Sequence, residues 1–190
     1  MTIVALGDSL TAGYGLPAED GFVPQMQAWL AAQGADALVL NAGVSGDTTA
    51  GGASRLDWAL TPEVDALIVN LGGNDMLRGI DPGEARGNLT AIMEGAAARG
   101  LPVLLVGLRA PGNYGEDYRA AFDAIFPDLA AQFQAGLVPN YFSPLIATGE
   151  GVLQAGLMQA DGIHPNKDGV TAAVAAMGPQ VLDLLARVKN

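Results

Sequence analysis

The sequence predicts an α/β fold in three layers, with a five-stranded parallel β-sheet covered by helices on both faces. Three observations predict it. Short apolar runs alternate along the chain with longer segments of helical periodicity. The short runs lack period-2 alternation, as expected of strands buried on both faces. The segments between them are long enough to carry a helix, which a right-handed crossover between parallel strands requires.

The elements follow in order. Thr2–Leu6 is the first strand and stops at Gly7. A helix over Gly21–Gln33 places Phe22, Val23, Met26, Trp29 and Leu30 on one face. Ala37–Leu40 is the second strand. The next helix covers Thr49–Leu60 and stops before Pro62. Ala66–Leu71 is the third strand, closed by Gly72-Gly73. Asp81, Pro82 and Glu84 form a helix start, with an N-cap, a first-position proline and a capping-box acid. That helix runs to Arg99 with Leu89, Ile92 and Met93 inward, and Gly100 closes it. Pro102–Leu108 is the fourth strand. A helix over Gly115–Gln134 is expected to kink near Pro127. Leu137–Val138 is a short fifth strand. The last helix begins near Pro165 and carries Val170, Val174, Met177, Val181, Leu184 and Leu185. Gly178-Pro179 should kink or divide it.

Bulk properties exclude several classes. A chain of 190 residues, half of them hydrophobic, is expected to form one domain over 1–190 with a sizeable core. It has no cysteine, so disulfides, thiolate catalysis and metal–sulfur sites are absent. The net charge of −11 opposes phosphate backbones and anionic membranes. No nucleic-acid partner and no stable membrane insertion are expected, since no unbroken apolar stretch of about 18 residues occurs. Entry into the first strand at Thr2 fits a cytoplasmic protein. It fits equally a periplasmic or secreted form whose signal peptide was removed. A monomer is expected.

In such a sheet, ligands bind at the carboxyl ends of the strands, and the polar residues gather there. The first strand leads into Gly7-Asp8-Ser9-Leu10, the second into Asn41 and Ser45-Gly46-Asp47, and the third into Gly72-Gly73-Asn74-Asp75. The single histidine, His164, follows Asp161 by three residues in the loop before the last helix. A carboxylate there can hold Nδ1–H and leave Nε2 as a base, although Asp-x-x-His is also common in turns. Ser9 reads equally as a helix N-cap or as a nucleophile. Gly46 can bring a backbone N–H close to a substrate and Asn74 can add an amide donor, or both can simply make turns. Asp8 and Asp75 read as turn braces. Thr11 stands two places after Ser9, so this is not the Gly-x-Ser-x-Gly elbow of the α/β-hydrolases. Neither Gly-x-Gly-x-x-Gly nor a P-loop follows a strand, which argues against a nucleotide-binding module.

Taken together, Gly7-Asp8-Ser9-Leu10, Gly46, Gly72-Gly73-Asn74-Asp75 and Asp161-Gly162-Ile163-His164-Pro165 resemble the four blocks of the SGNH hydrolases (GDSL esterases/lipases), in the family's order. Asn41–Thr49, Leu71–Asp75 and Asn113-Tyr114-Gly115 resemble its bacterial thioesterase/lysophospholipase/arylesterase subgroup. Ala160 departs from relatives that carry a second acid there. The resemblance implies a flavodoxin-like sheet of order 2-1-3-4-5 and hydrolysis of small ester or thioester substrates without metal or cofactor. It implies Ser9 as nucleophile, His164 as base, Asp161 as its orienting acid, and an oxyanion hole from Ser9, Gly46 and Asn74. Met76, Leu77, Ile80, Arg109, Pro111, Tyr114 and Phe142 are candidates for lining a substrate pocket, and the apolar ones read equally as core. A non-catalytic ligand-binding module on the same fold is the alternative.

Overall fold

The computed structural model describes residues 1–147 and 152–188. Five strands, β1 (Thr2–Gly7), β2 (Leu38–Gly43), β3 (Ala66–Asn70), β4 (Val103–Val106) and β5 (Gly136–Val138), form one sheet. Its order is β2-β1-β3-β4-β5 and every pairing is parallel. The expected fold and strand order are therefore present. β3 and β4 are buried at every residue, as their unbroken apolar runs require. β2 is an edge strand, and Leu38 and Leu40 stay exposed. Register then sets the site. Gly7 lies opposite Gly43 on one side and Asn70 on the other, so three chain segments leave the sheet at one level.

The helices are α1 (Ser9–Ala12), α2 (Phe22–Ala32), α3 (Thr49–Ser54), α4 (Leu56–Ala59), α5 (Gly73–Leu77), α6 (Pro82–Ala98), α7 (Glu116–Asp123), α8 (Ile125–Gln132) and α9 (Lys167–Ala186). At the start of α6, Asp81 Oδ1 accepts the Gly83 N–H at 2.8 Å and Pro82 occupies the first turn. Only half of the expected capping box forms. The Asp81 side chain caps Gly83 rather than Glu84, and Glu84 returns no side-chain bond among the described residues.

Three helical expectations are corrected. The helix read over Thr49–Leu60 is two, because Arg55 leaves helical geometry at φ −110°, ψ 8°. The segment Gly115–Gln134 is also two helices, separated at Ala124. Pro127 has no N–H for the carbonyl of Asp123, and its ring crowds that carbonyl, so α7 must stop there. Pro127 then sits in the first turn of α8, where a proline is tolerated. By contrast, α9 passes unbroken through Gly178-Pro179. Gly178 packs on the Trp29 ring of α2, and a Cβ there would lie 2.5 Å from the ring. Packing on both sides of the proline holds the helix together. By length and composition alone, α9 could cross a membrane; half of that stretch is buried in the core, which accounts for its apolar character.

Candidate active site

Ser9 stands at the first turn of α1, directly after β1. The cap of that helix is Asp8, whose Oδ1 accepts the Leu10 N–H at 3.0 Å. Asp8 thus takes the capping role that Ser9 could have had, and the Ser9 hydroxyl is left for another partner. Two glycines let α1 sit this close to the sheet. A Cβ on Gly7 would lie 2.7 Å from the Thr11 Cβ, and one on Gly43 would lie 2.8 Å from the Ala12 Cα.

That other partner is the imidazole, with His164 Nε2 lying 2.9 Å from Ser9 Oγ. His164 Nδ1 lies 2.6 Å from Asp161 Oδ2. The other carboxylate oxygen of Asp161 accepts the N–H groups of Ile163 at 2.9 Å and His164 at 3.0 Å. The Asp-x-x-His spacing builds this directly: the carboxylate caps its own turn with one oxygen and holds the ring with the other. An antiparallel bridge between Met158 and Pro165 closes the base of the loop. The His164 ring and these backbone N–H groups hold the Asp161 carboxyl down at about 2. It is therefore ionised wherever the ring needs it.

Asn74 lies in α5. Its Nδ2 donates to the Asp47 carbonyl at 2.8 Å and lies 3.5 Å from Asp8 Oδ2. These contacts bring the loops after β1, β2 and β3 together around Ser9. Gly46 precedes Asp47 in a left-handed conformation (φ 83°), and its carbonyl accepts from Arg78 Nη2 at 2.8 Å. Asp75 braces this side from behind, accepting the Thr49 N–H at 2.9 Å and the Thr49 hydroxyl at 2.6 Å. Asp8 is 3% exposed, and burial pushes its carboxyl up to about 6 despite the Leu10 bond.

The candidate lining residues divide. Leu77 and Tyr114 are exposed and joined, with the Tyr114 hydroxyl donating to the Leu77 carbonyl at 3.1 Å. Ile80 is half-buried, and its carbonyl accepts from Tyr118 at 3.0 Å. Met76 and Phe142 pack against the core, which is their simpler role. Arg109 and Pro111 are exposed, and Arg109 forms no ion pair among the described residues.

Three site neighbours escaped sequence reasoning. Tyr14 lays its ring against His164, with centroids 4.7 Å apart. Arg78 holds Gly46, and Arg55 holds Asp47 through Nε to Oδ2 at 2.7 Å. No motif or periodicity marks any of them. Their roles arise from contacts across 8 to 150 residues of chain.

Known proteins share this arrangement of sheet and sequence blocks. The sequence profile of the GDSL-like Lipase/Acylhydrolase family matches residues 5–172. The chain is 45% identical over 165 residues to Esterase TesA of Pseudomonas aeruginosa, covering 86% of this chain and 79% of that protein. It is 38% identical over 169 residues to Thioesterase 1/protease 1/lysophospholipase L1 of Escherichia coli K12, covering 88% of this chain and 76% of that one. Among solved structures, a crystal structure of TesA superposes with a TM-score of 0.88 at 38% identity, covering 97% of this chain and 99% of the other. The chain belongs to the GDSL-like lipase/acylhydrolase family and is an enzyme of the esterase class, acting on ester bonds.

Proposed function

We propose that the protein hydrolyses small-molecule carboxylic esters and thioesters through a covalent acyl-enzyme on Ser9. The observation that carries this reading is the continuous chain Ser9 Oγ–His164 Nε2 (2.9 Å) and His164 Nδ1–Asp161 Oδ2 (2.6 Å). A serine hydroxyl is a weak nucleophile and needs an adjacent base. With Nδ1–H held by Asp161, the lone pair of Nε2 faces the serine proton.

The steps then balance. Ser9 Oγ attacks the acyl carbon, its proton passes to His164 Nε2, and the carbonyl π pair moves to oxygen. The backbone N–H groups of Ser9 and Gly46 and the Asn74 amide are the proposed donors to that oxyanion. Each fixed donor of this kind is worth about 10²–10³ in rate. When the tetrahedral intermediate collapses, the C–O or C–S bond breaks and the departing alcohol or thiol takes the proton from His164. Water then attacks the acyl-enzyme and gives a proton to His164, which returns it to Ser9 Oγ as the carboxylic acid leaves. Asp161 stays ionised and stabilises the imidazolium at both stages. The names of the relatives supply the substrate classes to test first: simple esters, acyl thioesters and lysophospholipids.

Ser9→Ala and His164→Ala, assayed on p-nitrophenyl acyl esters, test the reading. Each should lower kcat by about 10³-fold or more with the fold intact. Wild-type rates in both variants would overturn it. Activity should fall in acid, since His164 must be neutral to accept the serine proton while Asp161 stays ionised, and Asp8, lifted to about 6 beside Ser9, takes up a proton on the same limb.

A further inference from the structure

We infer that Arg55 is a positioning residue for this reaction, one guanidinium that ties the Ser9 segment to the Gly46 loop, which in turn holds the Asn74 amide. The inference rests on the reading of Ser9, Gly46 and Asn74 given above. Arg55 Nη2 donates to the Gly7 carbonyl at 2.9 Å, two residues before Ser9. Nη1 donates to the Ala42 carbonyl at 2.8 Å, near the end of β2. Nε donates to Asp47 Oδ2 at 2.7 Å. Asp47 follows Gly46 in the chain, and its carbonyl holds the Asn74 amide at 2.8 Å. The Ser9 segment and the Gly46 loop are thus registered to one another by a single planar group, and the Asn74 side chain joins them through the Asp47 carbonyl.

Three further features show how closely the structure is built around this contact. The helix after the Gly46 loop breaks at Arg55 itself. Gly51 makes room for the Asp47 carboxylate, since a Cβ there would lie 2.7 Å from Asp47 Cγ. The pair is also shielded, with side-chain exposures of 18% for Arg55 and 14% for Asp47, whereas Arg86–Asp128 and Arg99–Asp57 lie out in solvent. A lysine has one nitrogen and cannot span three acceptors set in a fork, so the geometry demands arginine. Oxyanion donors act only when held where charge develops, and small misplacements are costly to the rate. Arg55 bonds none of the candidate lining residues, so its loss should spare substrate binding.

The test uses Arg55→Gln, Arg55→Lys and Asp47→Asn, each checked by thermal melting, with kcat and KM measured on a p-nitrophenyl ester. Folded Arg55→Gln and Arg55→Lys should lose about 10–100-fold in kcat, less than the outright removal of a donor costs, since the donors are displaced rather than deleted. KM should move by less than about threefold, the acid limb of the pH profile should not shift, and the loss should be alike for short and long acyl chains. Asp47→Asn keeps its carbonyl and should lose less, about 5–10-fold in kcat; it serves if the Arg55 variants do not fold. A kcat within about twofold of wild type in a folded Arg55→Gln overturns the inference, as does a loss confined to KM. If only Asp47→Asn folds, an unchanged kcat in it overturns the inference too. Asn74→Ala separates the two levels. If it retains full kcat, the oxyanion reading fails; if it is impaired while Arg55→Gln is not, only the role of Arg55 fails.

Discussion

A buried carboxyl group sits one residue before the proposed nucleophile. Asp8 caps α1 and faces Asn74, and burial lifts it to about 6. This carries a stability cost whose sign is fixed. Between the unfolded carboxylate range near 4 and the folded value near 6, the native state binds the proton more tightly, so stability falls as pH rises through that window. Asp8→Asn keeps the cap oxygen and removes the ionisation. Relative to wild type, it should gain stability between pH 4 and pH 7, by on the order of 3 kcal/mol at most. Urea melts at the two pH values measure this, and an equal difference at both would contradict it. At this scale the sequence offered Ser9, Gly46 and Asn74 as candidates because each follows a strand end, and Asp161 and His164 because of their spacing and the single imidazole. It left open whether Ser9 was the cap, since Asp8 and Ser9 are both good caps and only backbone geometry separates them. Tyr14 and Arg55 were illegible, because each acts on a residue far away in the chain.

At the scale of elements, the strands were legible and the helix breaks were not. Five apolar runs can be counted in a sequence, but the break at Arg55 is drawn by acceptors on β1 and β2. Pro127 announced a disturbance, and its effect fell three residues earlier, where the preceding helix had to yield. Gly178-Pro179 announced another, which tertiary packing suppressed. The close contact of Gly178 with Trp29 gives a direct test. Alanine would favour the helix by about 1 kcal/mol, yet its methyl would meet a wide ring with little room to move. Overpacking should prevail, and Gly178→Ala should destabilise the protein by about 1–2 kcal/mol in denaturant melts. A variant more stable than wild type would show that the α2–α9 seam is loose.

For the whole molecule, charge bears on substrate choice. The chain carries 20 acidic and 9 basic residues, a net charge of −11. A field of that sign slows the approach of anionic substrates and is screened by salt. For acyl-CoA thioesters, kcat/KM should rise with ionic strength, while for neutral aryl esters it should stay nearly flat. Faster turnover of acyl-CoA at low salt would contradict this. Acidity, the succession of strands and helices, and the absence of cysteine were all open to reading in the sequence. Acyl-chain preference was not, because pocket depth depends on how side chains from separate chain segments pack together, and no spacing encodes that.

The central claim is that Ser9 is the nucleophile and that His164 activates it. The most direct measurement is covalent labelling with a p-nitrophenyl alkylphosphonate, followed by digestion and mass spectrometry. A phosphonyl adduct on the peptide containing Ser9, with activity lost in step and labelling slowed sharply in His164→Ala, is the expected result. Inhibition with the adduct on another residue, or equal labelling of wild type and His164→Ala, would contradict the account.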